Sequence, residues 1–312
     1  MDVRRRRVAA QLLDRTAGTT LVGAVRHLLA VQAQEPAAFP LALRARVPGL
    51  TAAEVDTARH DRTLVRCWGP RGTLHLIARD DLPWLYLLVK PNPANSLRRL
   101  EELGVDNPDG SRAAAALDGQ GPLAKAELGE RTGTEGQATV HLAMLAAARG
   151  LVVLGPERRG KPTYVHAGDW LGAPLPTEPG DTALDRLVAR YRAAHEPAEP
   201  ADLAAWSGLP VRHLKRAWRP TTVDTRDVGP TVRLIPAFDE YLLGWRTRDH
   251  AVAPEHRKLV HPGGGIIRAA VLVDGRVAGT WTRAAGRVEV QPFEPLPDLT
   301  AEIDDLRRFD GK

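Results

Sequence analysis

Cysteine is almost missing from this sequence. Among 312 residues only Cys67 is present, which excludes an intramolecular disulfide framework and a cysteine-based zinc ribbon and fits a reducing compartment. Long apolar runs are missing as well: no stretch reaches the roughly 18 consecutive apolar residues of a membrane span. The N-terminus passes from Met1, Asp2 and Val3 directly into Arg4 to Arg7 without the apolar core of a signal peptide. A cytoplasmic protein with no membrane contact is therefore expected. The patterns G-x-x-x-x-G-K-[ST], G-x-G-x-x-G before a helix, H-E-x-x-H, C-x-x-C and G-x-S-x-G are all absent, which sets aside the enzyme classes built on them. Gly263, Gly264 and Gly265 are followed by neither Lys nor Ser/Thr and read as a loop. The ten histidines lack ligand spacing, so neither a metal nor a cofactor is expected.

What is present is a composition of 43% hydrophobic and 26% charged residues, enough for two or more packed cores. The net charge of +5 is uneven: residues 1–100 carry 16 Lys/Arg against 8 Asp/Glu, so they hold +8 and the rest of the chain about −3. A positive field of this kind suits a polyanionic partner, or is a solvated face. Periodicity predicts helices near 3–15, 20–31, 36–46 and 51–60, the last opened by a capping box of Thr51 with Glu54. The pattern then alternates from Leu64 to Ala78 around Gly69, Pro70, Arg71 and Gly72, which predicts a β-hairpin. With those four residues as the turn, Arg66 pairs with His75 and Cys67 with Leu74, so Arg66 and His75 share a polar face.

Linkers at 91–95 and 172–180 divide the chain. Pro122, Glu127, Leu128, Thr132 and Gly133 recur as Pro197, Asp202, Leu203, Ser207 and Gly208, an offset of 75 residues, which is a repeat of winged-helix size. Each copy runs on into a further helical segment. After residue 220 the chain turns β-rich, and Asp274-Gly275 marks a hairpin in AVLVDGRVAGTW. The fold class expected is α+β, mainly α, with tandem winged-helix modules at 1–90, 96–171 and 181–250 and a β-rich extension at 251–312.

Gln32 and Gln34, in VQAQ at the end of the second predicted helix, read from the residues alone as polar caps. Together with LALRARVPGLT, TLVRCWGPRGTLHLI, DLPWL, LIPAFDEYLLGWRTRD and VLVDGRVAGTW, however, VQAQ resembles the AlkZ/YcaQ-type winged-helix DNA glycosylases over nearly the whole chain. The resemblance implies that Gln32 and Gln34 are the catalytic pair of a Gln-apolar-Gln motif, with Ala33 smaller than the aliphatic residue usual between them. It implies excision of N7-alkylated purines and, with Gln rather than Asp at position 34, unhooking of interstrand crosslinks in repair or antibiotic self-resistance. The partner expected is alkylated or crosslinked double-stranded DNA, bound by a monomer through Arg66, Arg71, Thr73 and His75. Arg66 and His75 could instead merely brace the hairpin, and the hairpin at 271–281 could enter a groove or form a sheet edge. Asp239 and Glu240, read as neighbours on a strand, face opposite ways and form no carboxylate pair. A winged-helix DNA-binding regulator without catalysis is the alternative.

Overall fold

The computed structural model describes residues 2–219, 228–284 and 287–311. They fall into two compact units, one made of residues 1–55 and 184–312, the other of residues 56–183. In chain order the first unit begins with α1 (Val3–Ala10), α2 (Leu21–Leu28), β1 (Val31–Gln32) and α3 (Phe39–Arg44), and α4 (Ala52–His60) leads into the second. The second unit holds β2 (Leu64–Trp68), β3 (Leu74–Ala78), α5 (Leu82–Val89), α6 (Pro93–Glu102), α7 (Ser111–Leu117), β4 (Leu123–Ala124), α8 (Lys125–Thr132), α9 (Gly136–Ala148), β5 (Val152–Arg158), β6 (Lys161–His166) and α10 (Ala167–Leu171). The chain then returns to the first unit with α11 (Ala183–His195), α12 (Pro200–Ser207), α13 (Val211–Ala217), β7 (Val232–Ile235), α14 (Glu240–Leu243), α15 (Arg257–Val260), β8 (Ala270–Val273), β9 (Arg276–Ala284), β10 (Arg287–Pro292) and α16 (Thr300–Phe309). Helix and strand are mixed, and helix predominates. Residues 220–227, within the third expected module, lie outside the described residues.

The capping signals in the sequence are realised in atomic detail. Thr51 and Glu54 exchange bonds as the capping box requires: the Thr51 N–H donates to Glu54 Oε2 at 2.7 Å and the Glu54 N–H to Thr51 Oγ1 at 3.3 Å. The repeat holds position by position. In α8 the Ala124 N–H donates to the Glu127 carboxylate at 2.6 Å, and in α12 the Glu199 N–H donates to Asp202 at 2.9 Å. Leu128 and Leu203 are both fully buried. Thr132 Oγ1 donates to the Leu128 carbonyl at 2.8 Å and Ser207 Oγ to the Leu203 carbonyl at 2.6 Å. Each helix is closed by a glycine in the left-handed region, Gly133 at φ +61° and Gly208 at φ +80°, where a side chain would be strained. Even the proline carbonyls are used alike, Pro122 O by Arg158 at 3.0 Å and Pro197 O by Arg7 at 2.8 Å.

Within the second unit the strands run in the order β3-β2-β5-β6-β4. The first hairpin differs from expectation in register. Arg66 stands opposite Leu76 and Cys67 opposite His75, because the connection has five residues, closed by Gly69 N–H to Thr73 O at 2.9 Å, rather than four. One extra residue moves every partner by one and sends Arg66 and His75 to opposite faces. The first unit carries the sheet β10-β9-β8-β7. Its hairpin turns at Asp274 and Gly275, both at positive φ, with Val273 opposite Arg276, as the Asp-Gly signal predicted. The strands flanking that turn are central in the sheet, not at its edge, and Val271, Leu272, Val277 and Trp281 are buried.

Candidate active site

The paired glutamines lie after a helix rather than in one. Helix α2 is capped at its start by Thr20, whose Oγ1 accepts the Gly23 N–H at 3.1 Å, and ends at Leu28, because Leu29 takes φ +71° and ψ −55°. That is a sparsely populated conformation for a residue with a side chain, costing on the order of 1–3 kcal/mol. It turns the chain into β1, where the strand period of two separates the residues by side. Val31 and Ala33 enter the core, each at most 1% exposed. Gln32 and Gln34 fall on the other side, Gln32 nearly buried and Gln34 exposed. The site of Ala33 is closed, which accommodates a residue as small as alanine.

The helix does not continue because a distant acceptor captures the backbone. The Gln32 N–H donates to Glu240 Oε1 at 2.9 Å, and the other oxygen of that carboxylate accepts from Trp206 Nε1 at 3.2 Å. The Gln34 N–H in turn donates to the side-chain carbonyl of Gln32 at 3.3 Å, which fixes the orientation of the Gln32 amide: a carbonyl that accepts this bond leaves its second lone pair and the two amide N–H groups as the recognition elements. Glu240 is 1% exposed. Its neighbour Asp239 is not on a strand, as the sequence reading had it, but is the N-cap of α14, accepting the Tyr241 N–H at 2.9 Å. Asp239 is committed to structure. Both of its oxygens accept from Arg46 at 2.8 Å, and both side chains are fully buried. Sequence reasoning missed Glu240 and Trp206 as parts of this site. An Asp-Glu pair opening a short apolar helix was the available signal, since Asp favours the N-cap.

The residues expected to meet DNA all belong to the second unit, and two of the four are interior. Arg66, 3% exposed, donates to Glu157 at 2.6 Å, and Arg59 pairs with the same carboxylate at 2.5 Å. Burial lowers the Arg66 pKa while Glu157 offsets part of that. His75 is fully buried, with Nδ1 on the Thr73 carbonyl at 3.0 Å, and burial pushes its pKa down to about 3, so it is neutral. The expected polar face of Arg66 with His75 is thus absent. Arg71 is exposed at the tip of the turn, at φ +58°, and Thr73 is half-buried beside it, donating to Pro70 O at 3.1 Å. Among the described residues, Asp118, His166 and Asp169 bring ligand atoms within 4.8 Å of one another, but the carboxylates are exposed and Asp169 already accepts the Gly119 N–H at 2.8 Å.

A family model described as DNA glycosylase AlkZ-like matches residues 25–309. The chain belongs to this family. It is a DNA glycosylase, and DNA is its substrate. This AlkZ-like chain is 28% identical, over 353 aligned positions covering 95% of it and 92% of the relative, to a protein of Streptomyces sahachiroi named an interstrand DNA cross-link repair glycosylase. Its fold is that of the solved Streptomyces sahachiroi DNA glycosylase AlkZ, with a TM-score of 0.80 over 100% of this chain and 97% of the other at 24% identity. No helix among the described residues is long and apolar enough to cross a membrane.

Proposed function

We propose that this AlkZ-like glycosylase hydrolyses the N-glycosidic bond of N7-alkylated purines in duplex DNA and unhooks interstrand crosslinks, with Gln32 and Gln34 positioning the water. The observation that carries the reading is the paired amide motif on one side of an extended segment, its first member held through its backbone by a buried carboxylate. A neutral amide is no general base near pH 7, but it can orient a water through its carbonyl and N–H groups. Alkylation at N7 puts a positive charge on guanine, so the base departs neutral without a protonating acid. What remains is oxocarbenium formation and its capture by water, for which orientation is an effective contribution. The relative's name, a crosslink repair glycosylase, supports the second substrate class. A base tethered to both strands resists the extrusion by about 180° used by most base-modifying enzymes, so the enzyme acts from a groove.

Tandem winged helices belong to the same proposal. In the second unit the order α7, β4, α8, α9, β5, β6, with β4 antiparallel to β6, supports one such module at 96–171, and the 75-residue repeat supports a second across α12 and α13. Arg71 and Thr73 at the hairpin tip contact the phosphate backbone, whereas Arg66 and His75 brace the hairpin from within.

The test is release of N7-methylguanine from a synthetic duplex, scored as alkali-labile strand breaks, beside a duplex crosslinked through N7 of guanine on each strand. Gln32→Ala and Gln34→Ala are expected to lower excision at least about 100-fold, the scale of a lost positioning contact, while DNA binding is retained. Wild-type excision rates in both variants would overturn the site.

A further inference from the structure

We infer that Glu240 is a positioning residue for excision, a buried clamp that holds the Gln32 segment in its working conformation. The inference rests on the catalytic reading of Gln32 and Gln34. Glu240 is brought to that segment from 208 residues away and is 1% exposed. One oxygen accepts the Gln32 N–H at 2.9 Å and the other accepts the indole N–H of Trp206, itself 1% exposed, at 3.2 Å. Trp206 lies in α12, and its ring packs 5.8 Å from Tyr191 of α11, so the carboxylate ties a two-residue strand to a packed helical layer. The segment needs such an anchor. Leu29, three residues before Gln32, holds the strained left-handed conformation that ends α2, and β1 is only two residues long. Gln32 then passes the constraint on through its side-chain carbonyl, which accepts the Gln34 N–H at 3.3 Å. Carboxylate, backbone amide, side-chain carbonyl and second backbone amide form one chain of bonds ending at the exposed Gln34. A residue that fixes both amides sets their distance from the water without touching the substrate.

Glu240→Gln, alone and combined with Trp206→Phe, tests this with a duplex containing N7-methylguanine. In E240Q the new amide can accept from only one of the two donors, and its NH2 then confronts the other. In the double variant the indole donor is gone and the amide can serve Gln32 alone. The single-turnover excision rate of E240Q is expected to fall tenfold or more with the duplex Kd within twofold of wild type, and hydrogen exchange at residues 31–34 to accelerate. E240Q/W206F is expected to recover at least threefold of the lost rate. A merely structural Glu240 predicts instead that the lost rate tracks global stability in urea unfolding and that exchange at residues 31–34 rises no more than in the rest of the first unit. Should E240Q not fold, W206F, which keeps the carboxylate and removes one donor, is expected to slow excision about threefold and raise exchange at residues 31–34. Wild-type rate and exchange in the folded variants would overturn the inference. If Gln32→Ala and Gln34→Ala leave excision unchanged, the catalytic assignment fails instead, while amide exchange in E240Q still reports whether the clamp exists.

Discussion

The two copies of the repeat share their local grammar and differ in what their third helix does. In the first copy, α9 is rich in alanine and mostly interior, with Ala138, Thr139, Leu142, Ala143 and residues 145–148 buried, and α6 packs along it through the buried Ser96 and Leu100. In the second copy the equivalent α13 buries only Leu214 and Ala217 and exposes Arg212, His213, Lys215 and Arg216. The elbows before these helices differ too. In the first, Thr132, Thr134 and Thr139 join their hydroxyls at 2.8 and 3.0 Å. At the equivalent positions the second copy has Ser207, Leu209 and Leu214. One unit has spent its third helix on a core, and the other presents it as a cationic surface. Capping is decided by residues a few positions apart, whereas the use of a face is decided by what packs against it.

Acid should separate the units most. In the first unit, which holds the second copy, burial pushes His195 and His250 to about 3; in the second unit it does the same to His75. Each folded-state value lies below the unfolded one, so between about pH 6.5 and 3 the unfolded chain binds a proton that the folded chain does not. Stability is expected to fall with falling pH across that window, by up to about 1.4 kcal/mol per pH unit for each histidine. His141 of α9 and His261 of the first unit are lowered by burial as well, and native-state hydrogen exchange should show the opening free energy of α11 to α13 dropping more steeply than that of α7 to α9; equal slopes would erase this difference.

Next in size is the elbow. A Cβ on Gly129 would lie 2.5 Å from the Thr134 carbonyl oxygen, so Gly129→Ala is expected to destabilise by about 1–3 kcal/mol in urea unfolding. The equivalent position in the second copy already holds Ala204, and Ala204→Gly should cost no more than about 1 kcal/mol. Thr139→Val, which removes the end of the hydroxyl chain, should cost about 1–2 kcal/mol. Smallest for stability is the surface of α13: Arg212→Ala, Lys215→Ala and Arg216→Ala combined should change stability by less than about 0.5 kcal/mol per site. The same variant should bind duplex more weakly, with the slope of log K against log salt shallower by about 0.9 per lost phosphate contact. Gln137→Ala on α9 should leave both unchanged.

Much of this was legible in the sequence, and the failures have two causes, a loop one residue longer than read and partners far away along the chain. The Thr51–Glu54 box, the Asp274-Gly275 turn and the capping pattern inside each copy of the repeat rest on residues within a few positions of one another, and the family resemblance is carried by short contiguous blocks. The register of β2 with β3 was misread because Thr73 joins the loop, and a single residue inverts both faces. Gln32 was read from the residues alone as a cap at a helix end because nothing near it in sequence reveals that Glu240 will take its N–H. Arg66 was read as a surface cation because Glu157, its partner, lies 91 positions on.

The division of the first unit into residues 1–55 and 184–312 has a consequence for the order in which the molecule comes into being. The glutamine strand leaves the ribosome early, and the carboxylate that seizes it follows only after the whole intervening unit has been made. Until then the strained turn at Leu29 has nothing to compensate it. Joining strand and carboxylate closes a loop that contains the 128 residues of the intervening unit, and for a flexible loop that cost grows as about (3/2)RT ln n. Nascent chains halted before residue 240 should therefore carry a folded middle and an unformed active site.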